Sequence, residues 1–523
     1  METVRRTYRV QRKDINYLRT TLESYDGMAM VRTLDPREAV IEVSVSPGCV
    51  EPVLELLEDL KRSEGMTIRH APPEGPGIEE GEASSGTFFI HTMGCQMNEY
   101  DSDYAARCLI QAGYRRSRTP DRADILVVNS CSVREKAEHK AISTLGRMAG
   151  IKRGNPACVI VFAGCVAQQE GDRLLDRFSQ LDIVIGTRQV GRIAEAVAAF
   201  RGDRRRRALT ALETSACLPA PPKSDFFEGR VKGFITIMQG CDNFCSYCIV
   251  PHVRGREISR SPEEILAEAR ELLGQGIREI TLLGQNVNSY RWNTSATAVT
   301  FPDLLRLMDD LEGLERLRFT TSHPKDLSED LIECFPRLKT LCGHLHLPFQ
   351  AGSNRVLKRM NRRYTREHYL GLVARLRMAC PDIALTADVM VGFPGENQED
   401  FEETLDLIRR VRFANLYSFK YSDRKGTAAA RMEGKVDDRE KGRRLKILQD
   451  IQRDITLEGN RSLEGKTVEV LVEGASKRGG QVTGRTGSNL VVNFDGNLMD
   501  IGKIVKVKVY KGFANSIQAV KID

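Results

Sequence analysis

Three cysteines, Cys241, Cys245 and Cys248, lie within eight residues at the end of the apolar run GFITIMQG, in the stretch GCDNFCSYCIVPHVRGRE. Their C-x3-C-x2-C spacing places three thiolates on one loop leaving a strand. Such a set holds three irons of a 4Fe-4S cube and leaves the fourth open to another ligand. A zinc site normally takes four ligands in paired C-x2–4-C units. His252, the nearest candidate fourth ligand, is too close in the chain for an ordinary zinc knuckle. The spacing favours an iron–sulfur cube with one open iron.

A chain of 523 residues is long enough for three or four domains. Hydrophobic content of 41% with 28% charged residues is ordinary for a globular protein. No apolar run approaches the ~20 residues of a membrane span, and METVRRTYRVQRKD at the amino terminus has no apolar signal core. A cytoplasmic protein with no membrane partner is expected. In that compartment thirteen cysteines point to metal or catalysis rather than disulfides. The net charge of +7 is compatible with a nucleic-acid partner without establishing one.

Residues 1–70 mix a strand, IEVSVSP, with an amphipathic helix, PVLELLEDLKRSEG, and carry 11 Lys/Arg against 12 Asp/Glu. A small α+β domain of unassigned role is expected there, followed by a Pro/Gly/Glu-rich linker at 71–86. From 87 to 205 the runs TFFIHT, DILVVN, CVIVFA and LDIVIG alternate with helical segments, the pattern of a small doubly wound parallel sheet. Arg204 to Arg207 reads as a solvated run entering a linker at 206–229. Six further strand–helix units over 230–458 predict a partial (β/α)6 barrel, with ligands at the strand C-termini where the triad lies. Ser261 and Pro262 form a helix start in it. Over 459–523 five short strands predict an OB-like β-barrel, and residues 461–523 hold 10 Lys/Arg against 6 Asp/Glu.

Cys95, Cys131 and Cys165 each follow an apolar strand and precede a helical segment: TFFIHTMGC, DILVVNSC and CVIVFAGC. Parallel strands deliver their C-termini to one edge, so these three thiols should converge as a second set for a cube with an open iron. Gly94 and Gly164 allow close backbone approach. The alternative is three buried structural cysteines. Cys49, Cys108, Cys158, Cys217, Cys334, Cys342 and Cys380 share no spacing logic and read as core or incidental.

With HTMGCQMNEYDSD, NSCSVREKA, FAGCVAQ, GCDNFCSYCIVP, LLGQNVNSY, HLHLPFQAGSNRVLKRM, VMVGFPGE and GRTGSNLVVNF, the chain closely resembles the MiaB-type tRNA methylthiotransferases over about 87–523. The resemblance implies a methylthiotransferase domain, a radical S-adenosylmethionine (SAM) barrel and a C-terminal TRAM domain that binds RNA. It implies an auxiliary 4Fe-4S cluster on Cys95, Cys131 and Cys165 that carries sulfur. It also implies a second cluster on Cys241, Cys245 and Cys248, whose open iron chelates SAM to generate a 5′-deoxyadenosyl radical. The implied reaction converts N6-isopentenyladenosine next to the anticodon of tRNA into its 2-methylthio derivative. A reductant such as flavodoxin or ferredoxin, a sulfur donor and a monomeric state come with it. Residues 1–86 are absent from typical members, and His252 stands where relatives often carry Tyr.

The C2 hydrogen of adenine is not acidic enough for a side-chain base at neutral pH, so no catalytic acid or base is assigned. Two clusters must then face one another across the substrate. SAM contacts are expected from Gln285 and Asn286 at a strand end and from Gly392, Phe393, Pro394 and Gly395, whose glycines admit close approach; the alternatives are a strand-end cap and an ordinary turn. Asp388 should be buried, facing ligand or an Arg. Lys477, Arg478, Arg485, Lys506 and Lys508 are candidate phosphate contacts, and Phe494, Tyr510 and Phe513 candidate stacking residues. Rival functions are sister enzymes acting on threonylcarbamoyl-adenosine tRNA or a ribosomal-protein aspartate, and a non-catalytic iron–sulfur RNA-binding module.

Overall fold

In the computed structural model, the described residues are 4–522 apart from 12–13, 16–17, 19–21, 23–28, 36–38, 46–48, 64–65, 71–85, 133–134, 213–217, 225, 228, 294–297 and 477–479. The expected linker at 71–86, except Gly86, lies outside the described residues, as do Cys217, Lys477 and Arg478. The chain divides into two units, Met1–Ala83 and Ser84–Asp523.

In the first unit, Val40–Val45 alternates strictly: Ile41, Val43 and Val45 are buried, and the residues between them are half-buried. That is a strand with one covered face. It pairs antiparallel with Val4–Arg9 and Ala29–Asp35, and Arg69–His70 completes the sheet on the far side of Val4–Arg9. The helix Val50–Ser63 buries Val53, Leu57 and Leu60 at three- and four-residue spacing in the same core as Leu18 and Leu22. The unit is α+β, as expected.

The second unit opens with a six-stranded, wholly parallel sheet. Its order is Arg207–Leu209, Ile183–Ile185, Val159–Gly164, Ile125–Ser130, Thr87–Thr92, Arg115–Arg116. Alternate residues feed opposite cores. Ile125, Val127, Val159 and Val161 enter one, and Leu126, Val128, Ile160 and Phe162 the other. This explains strands apolar at nearly every position. Between Thr87–Thr92 and Ile125–Ser130 the strand order reverses, which makes the crevice at their C-terminal ends the expected ligand site.

The arginine run differs from expectation. Arg207–Leu209 is the sheet's edge strand, paired with Ile183–Ile185. Arg206 donates to the carbonyls of Leu175, Phe178 and Leu181, capping the C-terminal end of the helix Asp172–Arg177. The run therefore belongs to this domain and not to a linker.

Six parallel strands follow as two triples. Lys232–Thr236, Glu279–Leu283 and Arg316–Phe319 form one, and His344–His346, Ala384–Val391 and Asn415–Lys420 the other. A parallel bridge, Leu317 to Leu341, joins them. The side chain of Ser261 caps Pro262–Gly274 by accepting from Glu264 N at 3.2 Å, as its sequence indicated. The helix Asp438–Arg461 runs past the expected boundary at 458 into the tail. There Thr467–Ala475, Val482–Thr486, Val491–Asp495, Ile517–Lys521 and Ile504–Gly512 close a five-stranded barrel. Arg316 and Arg318 dock that barrel by donating to the carbonyls of Arg485, Thr486 and Gly487 at 2.6–2.8 Å. Among the described residues no helix is long and apolar enough to cross a membrane.

Candidate metal centre

Parallel register brings the first triad together. Thr92 lies opposite Asn129, and Ser130 opposite Gly164, so the residues that follow leave from one edge at the strand-order reversal. Cys95 is the N-cap of Gln96–Gln111, and Cys165 opens Cys165–Glu170. Gly94 and Gly164 have φ of +127° and +94°. A Cβ at Gly94 would collide with Cys131, and one at Gly164 with Ser130 O and Asn129 Oδ1. Both glycines are therefore steric requirements of the convergence. Asn98 stitches the loops: it accepts from Cys95 Sγ at 3.3 Å and donates to Asn129 Oδ1 at 3.0 Å and Ser130 O at 2.9 Å. A hydrogen bond from Cys131 lowers the Cys95 thiol to about 6 against the effect of burial, helped by Arg254. Burial raises Cys165.

The second triad occupies the loop between Met238–Gln239 and the short helix Val250–Arg254. Gly240, at φ +85°, leaves room that a Cβ would fill against Arg256 O, and its N–H donates to Gln285 Oε1 at 2.5 Å. Asn243 Nδ2 donates to Cys241 Sγ at 3.5 Å, and Arg362 Nη1 to Cys245 Sγ at 3.5 Å. Burial, then the neighbouring Cys245, pushes Cys248 up to about 12. Burial raises Cys241 as well, so these two thiols resist ionisation until a cation neutralises them. The donor set of each triad fits a thiolate-bound cluster. Gln239 Oε1, Gln285 Nε2 and Asn286 Oδ1 are buried without a hydrogen-bond partner, which fits a polar ligand beside the second triad. No disulfide joins the described cysteines. Cys108, Cys158, Cys334 and Cys342 are buried core thiols, and Cys49 and Cys380 are half-buried.

The two triads are neighbours. Cys165 packs against Ile249 and Val253, and Ile249 directly follows Cys248. Thr187 Oγ1 donates to Val253 O at 2.5 Å, and Arg188 to the carbonyls of Arg254 and Arg256 at 3.0 and 2.6 Å. Deeper in the contact, Arg107 and Arg260 are each 1% exposed. Glu268 accepts from both, at 3.4 and 2.6 Å, while Glu271 takes Arg107 at 2.7 Å and Tyr100 O–H lies 3.4 Å from Arg260.

The other expected site residues divide. Gln285 touches the backbone beside Cys241, and Asn286 donates to Asp326 Oδ2 at 2.8 Å. In the GFPG turn, the room left by Gly392 and Gly395 is taken by Lys441 and Arg359. Gly392 N–H donates to Glu396, itself paired with Arg444 at 2.7 Å. Arg359 donates to Pro394 O at 3.1 Å. Phe393 is buried among Val356, Leu357, Met360 and Tyr421. Asp388 is half-exposed and its partner is His346, at 3.7 Å, not an arginine. His252 is exposed.

In the tail, Phe494 is fully buried in the barrel core with Val492 and Val507, so it does not stack on bases. Tyr510 and Phe513 are exposed, as are Lys506 and Lys508. Arg485 is engaged by Glu473 at 3.5 Å and Asn489 O at 3.0 Å. Sequence reasoning missed Arg254, which bonds Asp101 at 2.7 Å beside the first triad, and Arg362 beside the second. It also missed Glu257, pushed up to about 7 by burial and accepting from Ser289 at 2.8 Å.

Family models match along the chain: a domain of unknown function (DUF4911) at 8–63, the uncharacterized protein family UPF0004 at 87–186, the Radical SAM superfamily at 235–408 and the TRAM domain at 461–521. The tRNA-2-methylthio-N(6)-dimethylallyladenosine synthase of Geobacter metallireducens is 51% identical over 431 residues, 82% of this chain and 97% of that one. Its counterpart from Syntrophus aciditrophicus is 48% identical over 437 residues, 82% and 93% of the two chains. The solved radical S-adenosylmethionine methyltransferase TsrM from Kitasatospora setae shares the fold at TM-score 0.50 and 14% identity, covering 66% of this chain and 74% of its own. With about half of the aligned residues identical to relatives matched over nearly their whole length, the chain belongs to the tRNA-2-methylthio-N(6)-dimethylallyladenosine synthase family of radical SAM enzymes.

Proposed function

We propose that this protein is the methylthiotransferase that converts N6-isopentenyladenosine next to the anticodon of tRNA into 2-methylthio-N6-isopentenyladenosine. The observation that carries this reading is the direct packing of Cys165 on the residue after Cys248: two cysteine triads meet at one domain contact. Cys241, Cys245 and Cys248 would hold the SAM-binding cluster, and Cys95, Cys131 and Cys165 the sulfur-carrying one. When bound, these groups and SAM supply the one-electron chemistry, sulfur and methyl group that side chains cannot.

The chain's own residues bind and orient. Gln285 and Asn286, each with an unsatisfied buried polar atom, are assigned to SAM. Gly392, Phe393, Pro394 and Gly395 of the GFPG turn are assigned to SAM with them, on a backbone held by Glu396, Arg359 and Gly434. A flavodoxin- or ferredoxin-type reductant, a separate sulfur donor, a monomeric state and a cytoplasmic location accompany this reading. We assign residues 87–209 to the auxiliary-cluster domain, 230–461 to the barrel and the remaining tail to RNA.

Mass spectrometry of tRNA nucleosides from a strain lacking the protein tests the assignment. Accumulation of N6-isopentenyladenosine with loss of its 2-methylthio form is expected; an unchanged 2-methylthio level contradicts it.

Two further outcomes follow. A chain beginning at Ser84 should keep the iron content and methylthiolation of the full protein, since unit 1 has its own core. A folded truncation without activity would give residues 1–83 a catalytic part. Replacing Lys506 and Lys508 by Ala should weaken tRNA binding and lower the log–log salt slope by about one per lysine. An unchanged slope would remove both from the RNA contact.

A further inference from the structure

Arg254 follows Cys248 by six residues, yet it faces the other triad. Its side chain is 3% exposed, and Nη2 donates to Asp101 Oδ2 at 2.7 Å, an acid 2% exposed. Nη1 is buried and has no partner at hydrogen-bond distance, while the guanidinium is near enough to act on the Cys165 thiol as a donor as well as a charge. The guanidinium lies close enough to Cys165 and Cys95 for each to feel the other's charge. An unsatisfied buried donor on a cation is costly. Beside three converging thiols, the acceptor that removes the cost is an anionic group held by them. The helix carrying Arg254 is clamped by Thr187 and Arg188 of the six-stranded-sheet domain, so the side chain has little freedom to turn elsewhere.

We propose that Arg254 is a positioning residue for the group held by Cys95, Cys131 and Cys165: Nη1 donates to that group, and the arginine's charge raises its reduction potential. The barrel thus tunes the centre of the neighbouring domain, through the same stretch, 241–254, that carries its own triad. A nearby positive charge favours the reduced, more negative form, and hydrogen bonds and local charge are established determinants of cluster potentials. Asp101 opposes it. The inference rests on the reading that this triad holds an iron–sulfur cluster.

The test uses full-length protein with Cys241, Cys245 and Cys248 changed to Ala, which retains this centre alone, in a redox titration followed by electron paramagnetic resonance. In that background Arg254→Gln should disfavour reduction by about tenfold, a negative shift of about 59 mV for one electron. Arg254→Lys should stay near the parent, and Asp101→Asn should shift the potential positively. Both Arg254→Gln and Asp101→Asn break the same ion pair, so opposite signs support charge tuning. Shifts of the same sign, as loss of domain docking would give, overturn it, as does an unmoved potential in iron-loaded Arg254→Gln. If Arg254→Gln does not load, a positive shift in Asp101→Asn with an unmoved Arg254→Lys supports the inference, and any other result overturns it. Absence of iron in the triad-substituted parent overturns the reading of Cys95, Cys131 and Cys165 themselves.

Discussion

A chain carrying Ala at Cys95, Cys131 and Cys165 together is expected to hold about half the wild-type iron, since Fe–S clusters are held by Cys thiolates. It should still cleave SAM under reduction and make no detectable 2-methylthio nucleoside. The reason lies in the backbone. Each triad sits on its own loops: one at the edge of the six-stranded sheet, the other in 241–248 between a strand and a short helix. Their contact is through Ile249 and Val253, not through shared ligands. Alanine at the first three positions leaves Gly240, Asn243 and Arg362, which order the second loop, in place. Iron analysis, SAM-cleavage assays and nucleoside mass spectrometry give the three readouts. Loss of all iron from a folded variant would show that the centres load as one. Residual methylthiolation would show that the first triad does not carry sulfur.

Glu268→Ala is expected to destabilise the second unit by about 3–5 kcal/mol, the usual cost of leaving a buried charge uncompensated. Glu268 is buried and serves Arg107 and Arg260, both almost fully enclosed. After substitution, Arg260 keeps Thr236 O, Tyr100 O–H and the half-exposed Glu264 at 3.9 Å among the described residues. By contrast, removing Glu195, a surface partner of Arg192, should change stability by less than about 1 kcal/mol. The double change Arg260→Met with Glu268→Leu should recover much of the loss, because well-packed apolar replacements of buried ion pairs are often neutral. Urea denaturation followed by circular dichroism decides the case. A midpoint for Glu268→Ala equal to wild type would mean that the network does not hold the two domains together.

Most of what was legible in the sequence was local. The parallel strands showed as apolar runs because both faces of a doubly wound sheet are covered, as in Ile125–Ser130 and Val159–Gly164. The triads showed because thiolate ligands need short spacings or repeated strand ends. Phe494 could have been placed from its own strand: in NLVVNFDG, Asn493 and Asp495 mark the wet face, so Val492 and Phe494 must point inward. The arginine run was misread because its role depends on carbonyls 25–31 residues earlier. Arg254, Arg107 and Arg260 were illegible for the same reason on a larger scale. Asp101 is 153 residues from Arg254 and Glu268 161 from Arg107; Glu268 is only eight from Arg260, but charge alone does not say which arginine is enclosed.

Substrate choice is decided by reconstituted full-length protein given SAM, a reductant and sulfide, with tRNA bearing either N6-isopentenyladenosine or N6-threonylcarbamoyladenosine. 2-Methylthio-N6-isopentenyladenosine is expected on the first tRNA and no methylthiolation on the second. Methylthiolation of the threonylcarbamoyl tRNA alone would contradict the proposed substrate.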